Sequence, residues 1–199
     1  PTFIQMLRAD QQILEAMCAD WEMVDVEGDD DSKFAKFNDI LKHELFKKDR
    51  NPGQKLVIFS ESKDTVEYLQ RRLNRKDVLV IDSSNRTKLF KAIQENFDAN
   101  YKKSLRKDDY NIIITTDVLA EGVNLHRSNI IINYDTPWNS TKLMQRIGRV
   151  NRIGSEGKNI YNYVFYPSRQ GNQIIKLNQI ALSKIQTFHS TFGEDNQIY

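Results

Sequence analysis

The sequence predicts an α/β fold: an open, mainly parallel sheet with helices on both faces. Three observations carry the prediction. Short apolar runs such as "KLVIFS" and "YNIIITT" are continuous rather than alternating, which is how strands buried on both faces read. Those runs alternate with helix-like stretches, the βαβ pattern of a parallel sheet. At 199 residues, 39% of them hydrophobic, the chain is long enough to bury one real core.

The elements follow in order. Phe3, Met6, Leu7, Ile13, Leu14 and Met17 form an apolar stripe, which predicts a helix over 2–18. The acidic stretch "DWEMVDVEGDDD" at 20–31 has no period and reads as a loop. Together these make residues 1–30 a linker-like region ahead of a domain over 31–199. "DSKFAKFNDILKHELF" predicts a second helix. Asp31 or Ser32 can cap it, and Phe34, Phe37, Ile40, Leu41 and Leu45 form its inner stripe. "RNPG" stops it. "KLVIFS" is then a strand, followed by a helix with Val66, Leu69 and Leu73 inward. "VLVID" (strand), "TKLFKAIQENF" (helix), "YNIIITT" and "NIIINYD" (strands), "TKLMQRIGRV" (helix), "IYNYVFY" (strand) and a helix near 173–188 complete the chain. The polar, basic stretch 100–109 is expected to be a surface loop.

Charge and composition exclude several classes. The net charge is only +2, so the chain is no strongly basic nucleic-acid coat. The basic blocks "RRLNRK" and "KKSLRK" read as solvated faces. A single cysteine, Cys18, permits no internal disulfide, which suits a reducing cytosol. With His43, His126 and His189 scattered, no zinc-type spacing exists and no metal site is expected. No apolar run approaches a membrane span and no signal peptide opens the chain, so a cytoplasmic location and no membrane partner are expected. A first residue of proline fits a piece cut from a longer protein.

Ligands of open α/β sheets gather beyond the carboxyl ends of the strands. Three such ends carry polar residues: "FS" (Phe59, Ser60), "TTD" (Thr115, Thr116, Asp117) running into "VLAEGVN", and "YDTPWN". Each alone reads as a capped turn or as a phosphate-holding one, and Gly122 lets the backbone bend or approach a ligand. "QRIGRVNRIG" at 145–154 discriminates better. Arg146, Arg149 and Arg152 recur every third residue with no carboxylate among them. Side chains at that spacing are neighbours on a helix, and like charges there weaken it. Leu143, Ile147 and Val150 would dock on the sheet, with the arginines on the neighbouring arc. Gly148 costs the helix about 1 kcal/mol against Ala, which points to close approach by another backbone or a ligand. Arginine suits a multiply charged phosphate through paired, charge-assisted hydrogen bonds. The arginine row alone fits a basic solvent face equally well. Joined to "TTDVLAEGVN" on one expected sheet edge, it favours a site.

"TTDVLAEGVN" followed by "QRIGRVNRIG" resembles motifs V and VI of superfamily-two helicases. Motif VI follows Q-x-x-G-R-x-x-R, met by Gln145, Gly148, Arg149 and Arg152. With "DSKFAKF", "KLVIFSESKDTVEYLQRRL" and "NLHRSNIIINYDTPWN", residues 31–167 are similar to the second RecA-like domain of Swi/Snf-type ATPases, the bacterial RapA-like members above all. Departures from the Swi/Snf pattern favour that RapA-like or an unassigned bacterial branch. Ala120, Glu121 and Gly122 replace a glycine pair, Ser140 replaces a proline, and Ser155 replaces a glutamine.

The resemblance implies roles residue by residue. Arg149 and Arg152 are the arginine fingers that reach the γ-phosphate of ATP. Gly122, Asn124 and Gln145 meet nucleotide or orient the motif. Thr116, and more weakly Ser60 and Arg86, meet the nucleic-acid backbone, with double-stranded DNA favoured. Asp117 buffers a motif VI arginine by a salt bridge. No G-x-x-x-x-G-K-[ST] loop or Walker B Asp-Glu pair occurs. The phosphate cradle and Mg2+ are therefore expected on an upstream RecA-like domain, with this piece inactive alone. A nucleic-acid-binding module without hydrolysis, or a regulatory domain, is the alternative.

Overall fold

The structure is a computed structural model that describes residues 2–23, 31–137 and 139–166; the helix expected near 173–188 lies outside them. The chain divides into two compact units, Pro1–Lys42 and His43–Tyr199.

In the first unit, α1 (Phe3–Glu22) runs further than the stripe predicted. Its start is secured by Gln5, whose Oε1 accepts the Thr2 N–H at 2.8 Å. None of its side chains is buried, so the apolar stripe stands exposed. α2 (Ser32–Ile40) begins at Asp31, whose carboxylate accepts the Phe34 N–H at 2.8 Å. Of the two candidate caps, Asp31 therefore serves. Phe34 and Phe37 are buried, with ring centroids 6.2 Å apart at an edge-to-face angle. The single helix expected up to Phe46 instead widens into a π-helical stretch at Leu41–Leu45.

The second unit holds the sheet: β1 (Leu56–Phe59), β2 (Val78–Ile81), β3 (Ile112–Thr115), β4 (Ile130–Asn133) and β5 (Tyr161–Val164). Their order is β2-β3-β1-β4-β5, and every pairing is parallel. Each residue of β1, β3 and β4 is buried, whereas β2 and β5, at the edges, are half-covered. This is the distribution that continuous apolar runs require. On one face, Val57, Phe59, Ile113 and Ile131 share a core with Ile93 and Phe97 of α4 (Arg86–Phe97). Leu143, Ile147 and Val150 of α5 (Ser140–Val150) complete it. α3 (Lys63–Leu73) packs on β2 and β3 through Val66 and Leu69, which stand outside that cluster. Helices thus cover both faces.

The basic stretch 100–109, expected as a plain surface loop, is anchored from beneath. The Lys55 ammonium, fully buried, donates to the Tyr110 carbonyl at 2.8 Å and pairs with Asp108 at 2.9 Å. Arg127 donates to the carbonyls of Asn96 and Lys107, both at 2.9 Å, and to Asp108 at 2.8 Å. Two buried cations thereby satisfy carbonyls that would otherwise be orphaned.

Ile113 lies on inner strand β3 with no exposed surface. Ile113→Ala is expected to destabilise the domain by about 2–5 kcal/mol, seen as a lowered urea midpoint with an unchanged slope.

Candidate functional site

From central β1 the chain crosses to β2 on one side, and from β4 it proceeds to β5 on the other. The switch point of the sheet therefore lies between the carboxyl ends of β1 and β4, where such sheets bind ligands. Here a side chain of the domain itself fills that place. Arg146 is fully buried, with its guanidinium 5.1 Å from the centre of the Phe59 ring. Its Nε donates to Asp117 at 2.8 Å, its Nη1 to the Asn133 side-chain oxygen at 2.9 Å, and its Nη2 to Glu61 and Asp117, each at 2.6 Å. Lys142, one turn earlier on α5, pairs with the same two carboxylates at 3.0 and 2.7 Å. Two cations and two anions thus join the ends of β3, β1 and β4 to α5. Burial pushes the Asp117 carboxyl up, but Lys142 and Arg146 pull it down further, so it lies below the ordinary carboxylate range.

This corrects the expectation of three arginines on one open arc. Each three-residue step rotates a side chain by about 60° around a helix. Arg146 therefore borders the Leu143–Ile147–Val150 stripe and turns inward, Arg149 lies further round, and Arg152 falls beyond the last turn of α5. Arg149 and Arg152 have no carboxylate partner among the described residues. The Arg149 Nε is buried without a hydrogen-bond partner. Burial, and then the charge of Arg152, lower the Arg149 pKa from its ordinary value. Arg152 is exposed; it donates to the Asn124 side-chain oxygen and, at 3.2 Å, to the Gly148 carbonyl. The Leu125 N–H donates to the Arg149 carbonyl at 2.9 Å, which locks the turn after β3 to the end of α5.

The other expected residues fall around this pair. Gly122 has φ +72°, and a Cβ there would come within 2.6 Å of the Arg86 Nη2. The left-handed φ favours glycine, while the Arg86 side-chain tip is flexible enough to give way. Arg86 itself donates to the Glu121 carbonyl at 2.8 Å, while Gln145 reaches the Glu121 carboxylate at 3.4 Å. Ser60 is fully buried and its hydroxyl donates to Asp135, closing β1 onto the end of β4. Thr116 is half-buried and makes no side-chain cap bond. Gly148 has open space within 4 Å of where a Cβ would stand, so no neighbouring backbone of the described residues crowds that side of it. Asp98, Glu61, Asn133 and Lys142 were missed from sequence. Glu61 and Lys142 flank expected motifs and carry opposite charge, a signal that was available. Asp98, at the end of α4, carried none.

Near the arginines, His126 is fully buried and neither ring nitrogen has a hydrogen-bond partner. Its Nδ1 lies 3.7 Å from Asp98. Burial holds its pKa below the ordinary value; Arg152 and Arg106 act the same way, against Asp98. Among the described residues no cluster of three or more His, Cys, Asp or Glu could hold a metal ion.

Comparison with solved structures finds the fold of this chain in an ATPase domain and in a helicase domain. The C-terminal part of the Fun30 ATPase domain superposes with a TM-score of 0.55 at 22% identity, over 75% of this chain and 44% of that one. The Pyrococcus furiosus Hef helicase domain gives 0.54 at 15%, over 87% and 33%. At such identities the likeness is one of fold. Within that class the chain belongs to the helicase conserved C-terminal domain family, matched over residues 32–154, more than half its length. It is 32% identical over 145 residues to an uncharacterised ATP-dependent helicase of Bacillus subtilis (strain 168), YqhH, covering 72% of this chain and 24% of that protein. It is 29% identical over 139 residues to the ATP-dependent RNA helicase eIF4A of Candida glabrata, covering 70% and 31%. The chain thus spans about a quarter to a third of the length of these curated relatives. Among the described residues no helix is long and apolar enough to cross a membrane.

The two kinds of arginine should separate in stability. Arg146→Ala leaves Asp117 and Glu61 with Lys142 as their one shared cation and is expected to cost about 3–5 kcal/mol, whereas Arg149→Ala, which removes an unpartnered donor, should change the unfolding free energy by about 0.5 kcal/mol or less; urea titrations measure both. The buried, neutral His126 contributes stability that is complete above its unfolded pKa of about 6.5 and is lost as pH falls from there toward its lower folded value. His126→Leu is expected to flatten that part of the stability profile, measured as denaturation midpoints between about pH 5 and pH 8.

Proposed function

We propose that the chain is the second motor domain of an ATP-dependent helicase or translocase, acting across a cleft from an upstream RecA-like domain. One observation carries the reading. The charges of Arg149 and Arg152 act against each other, neither forms an ion pair with a carboxylate among the described residues, Glu121 only partly offsets the repulsion at Arg149, and Arg149 keeps a buried, unpartnered Nε. Two like charges so placed raise each other's energy, and an arriving polyphosphate lowers it. Phosphoryl transfer asks mainly for positioning and charge stabilisation. Arginine fingers from a separate domain supply the second, so hydrolysis waits on domain closure.

In this reading Arg149 and Arg152 are the catalytic arginines, with Gly122, Asn124 and Gln145 bordering the nucleotide. Mg2+ and the phosphate cradle belong to the upstream domain. Thr116, whose hydroxyl makes no cap bond, is the leading contact to nucleic-acid phosphates. Ser60 and Arg86 stand behind it, holding the strand ends and the Gly122 turn. Phosphate contacts carry no sequence information. The curated relatives are named as an ATP-dependent helicase and as an RNA helicase, so the shared ligand is the sugar–phosphate backbone; double-stranded DNA and the RapA-like branch rest on the motif resemblance, Ser140 and Ser155 included.

In the full-length protein, Arg149→Ala and Arg152→Ala are each expected to lower nucleic-acid-stimulated ATP hydrolysis by roughly 10³-fold or more while leaving most nucleic-acid affinity. Duplex DNA and RNA compared as stimulators identify the substrate. Loss of binding with hydrolysis intact, or ATP turnover by this domain alone, overturns the reading.

A further inference from the structure

We infer that Asp98 is a positioning residue for the Arg152 guanidinium, acting through the side-chain amide of Asn124. The inference rests on the finger reading above and deepens it.

The geometry is a three-membered chain. The Asn124 Nδ2 donates to the Asp98 Oδ2 at 3.1 Å, and the Asn124 Oδ1 accepts from the Arg152 Nη1. A carboxylate only accepts hydrogen bonds and a guanidinium only donates them. Between two such neighbours the amide has one orientation: nitrogen toward Asp98, oxygen toward Arg152. Asp98 therefore decides which end of Asn124 the arginine meets. The carboxylate is itself fixed. Asp98 ends α4, its side chain is nearly sealed from solvent, and its Oδ1 accepts the Asn100 N–H at 2.8 Å. Arg152 lies past the last turn of α5 and is exposed, so neither helix nor core holds its side chain. Beyond its bond to the Gly148 carbonyl, the Asn124 oxygen is what aims it.

Asp98→Asn is nearly isosteric and inverts this logic. The new amide oxygen takes over the Asn100 N–H, which turns the new NH2 toward Asn124. Two NH2 groups cannot face each other with profit, so Asn124 flips and shows Arg152 a donor. The Arg152 contact is lost through a substitution at a residue outside the proposed nucleotide border. Asp98→Asn combined with Asn124→Asp restores the order. The amide at 98 then donates to the carboxylate at 124, whose second oxygen accepts from Arg152, and net charge is conserved.

The test uses the full-length protein with nucleic acid saturating, and measures kcat and KM for ATP together with the melting temperature. D98N is expected to lower kcat roughly tenfold or more, as loss of one hydrogen bond to a charged group would, with KM little changed. The D98N/N124D variant is expected to recover most of that loss. D98N at the wild-type rate while Arg152→Ala is impaired overturns the inference and leaves the finger reading standing. D98N that loses cooperative unfolding assigns Asp98 to folding alone and overturns the inference, and a double variant that keeps the wild-type KM for ATP yet is no faster than D98N overturns it too. Arg152→Ala at the wild-type rate removes the finger reading and the inference with it.

Discussion

The Arg146 guanidinium is the interaction on which the carboxyl edge of this sheet depends. Glu61, Asn133 and Asp117 come from the ends of three different strands, and one buried cation binds all three. A charge in that position is costly unless its N–H donors meet acceptors and its charge is paired, and here two carboxylates, the side-chain oxygen of an amide and the face of Phe59 serve. Lys142 balances the second negative charge. The switch-point crevice, where an open α/β sheet would receive a ligand, is thereby closed with the chain's own side chain. Such a domain offers anions its rim rather than its centre.

The rim follows from the same helix. α5 sends Arg146 inward and Arg149 sideways, so one short segment both seals the sheet and presents charge beyond it. The bond from Leu125 to the Arg149 carbonyl ties the turn after β3 to that presentation. Motion of the turn is therefore motion of the arginines. If the turn grips a strand of nucleic acid, as proposed, strand and nucleotide are sensed by one rigid piece.

Much of the fold could be read before any coordinates. Unbroken isoleucine runs such as Ile112, Ile113 and Ile114 can only be buried on both faces, and parallel order follows from the alternation with helices. The site was readable in part. Gly122 announced itself because a left-handed turn there admits little else. The spacing of the arginines hid their divergence, since a three-residue repeat only approximates a helical turn and the drift decides between burial and exposure. Asp98 reaches Asn124 across a long stretch of intervening chain, and no local pattern encodes such a pairing. Gly148 drew attention for a close backbone approach that the described residues do not make.

The strand order has a consequence for how the domain is made. β1 emerges first yet ends at the centre, with Leu56 beside Ile112 on one flank and Ile130 on the other. No tight hairpin can form on the way, and both flanks of an apolar strand wait for segments synthesised much later. Such remote contacts slow assembly and leave sticky edges bare in the interval.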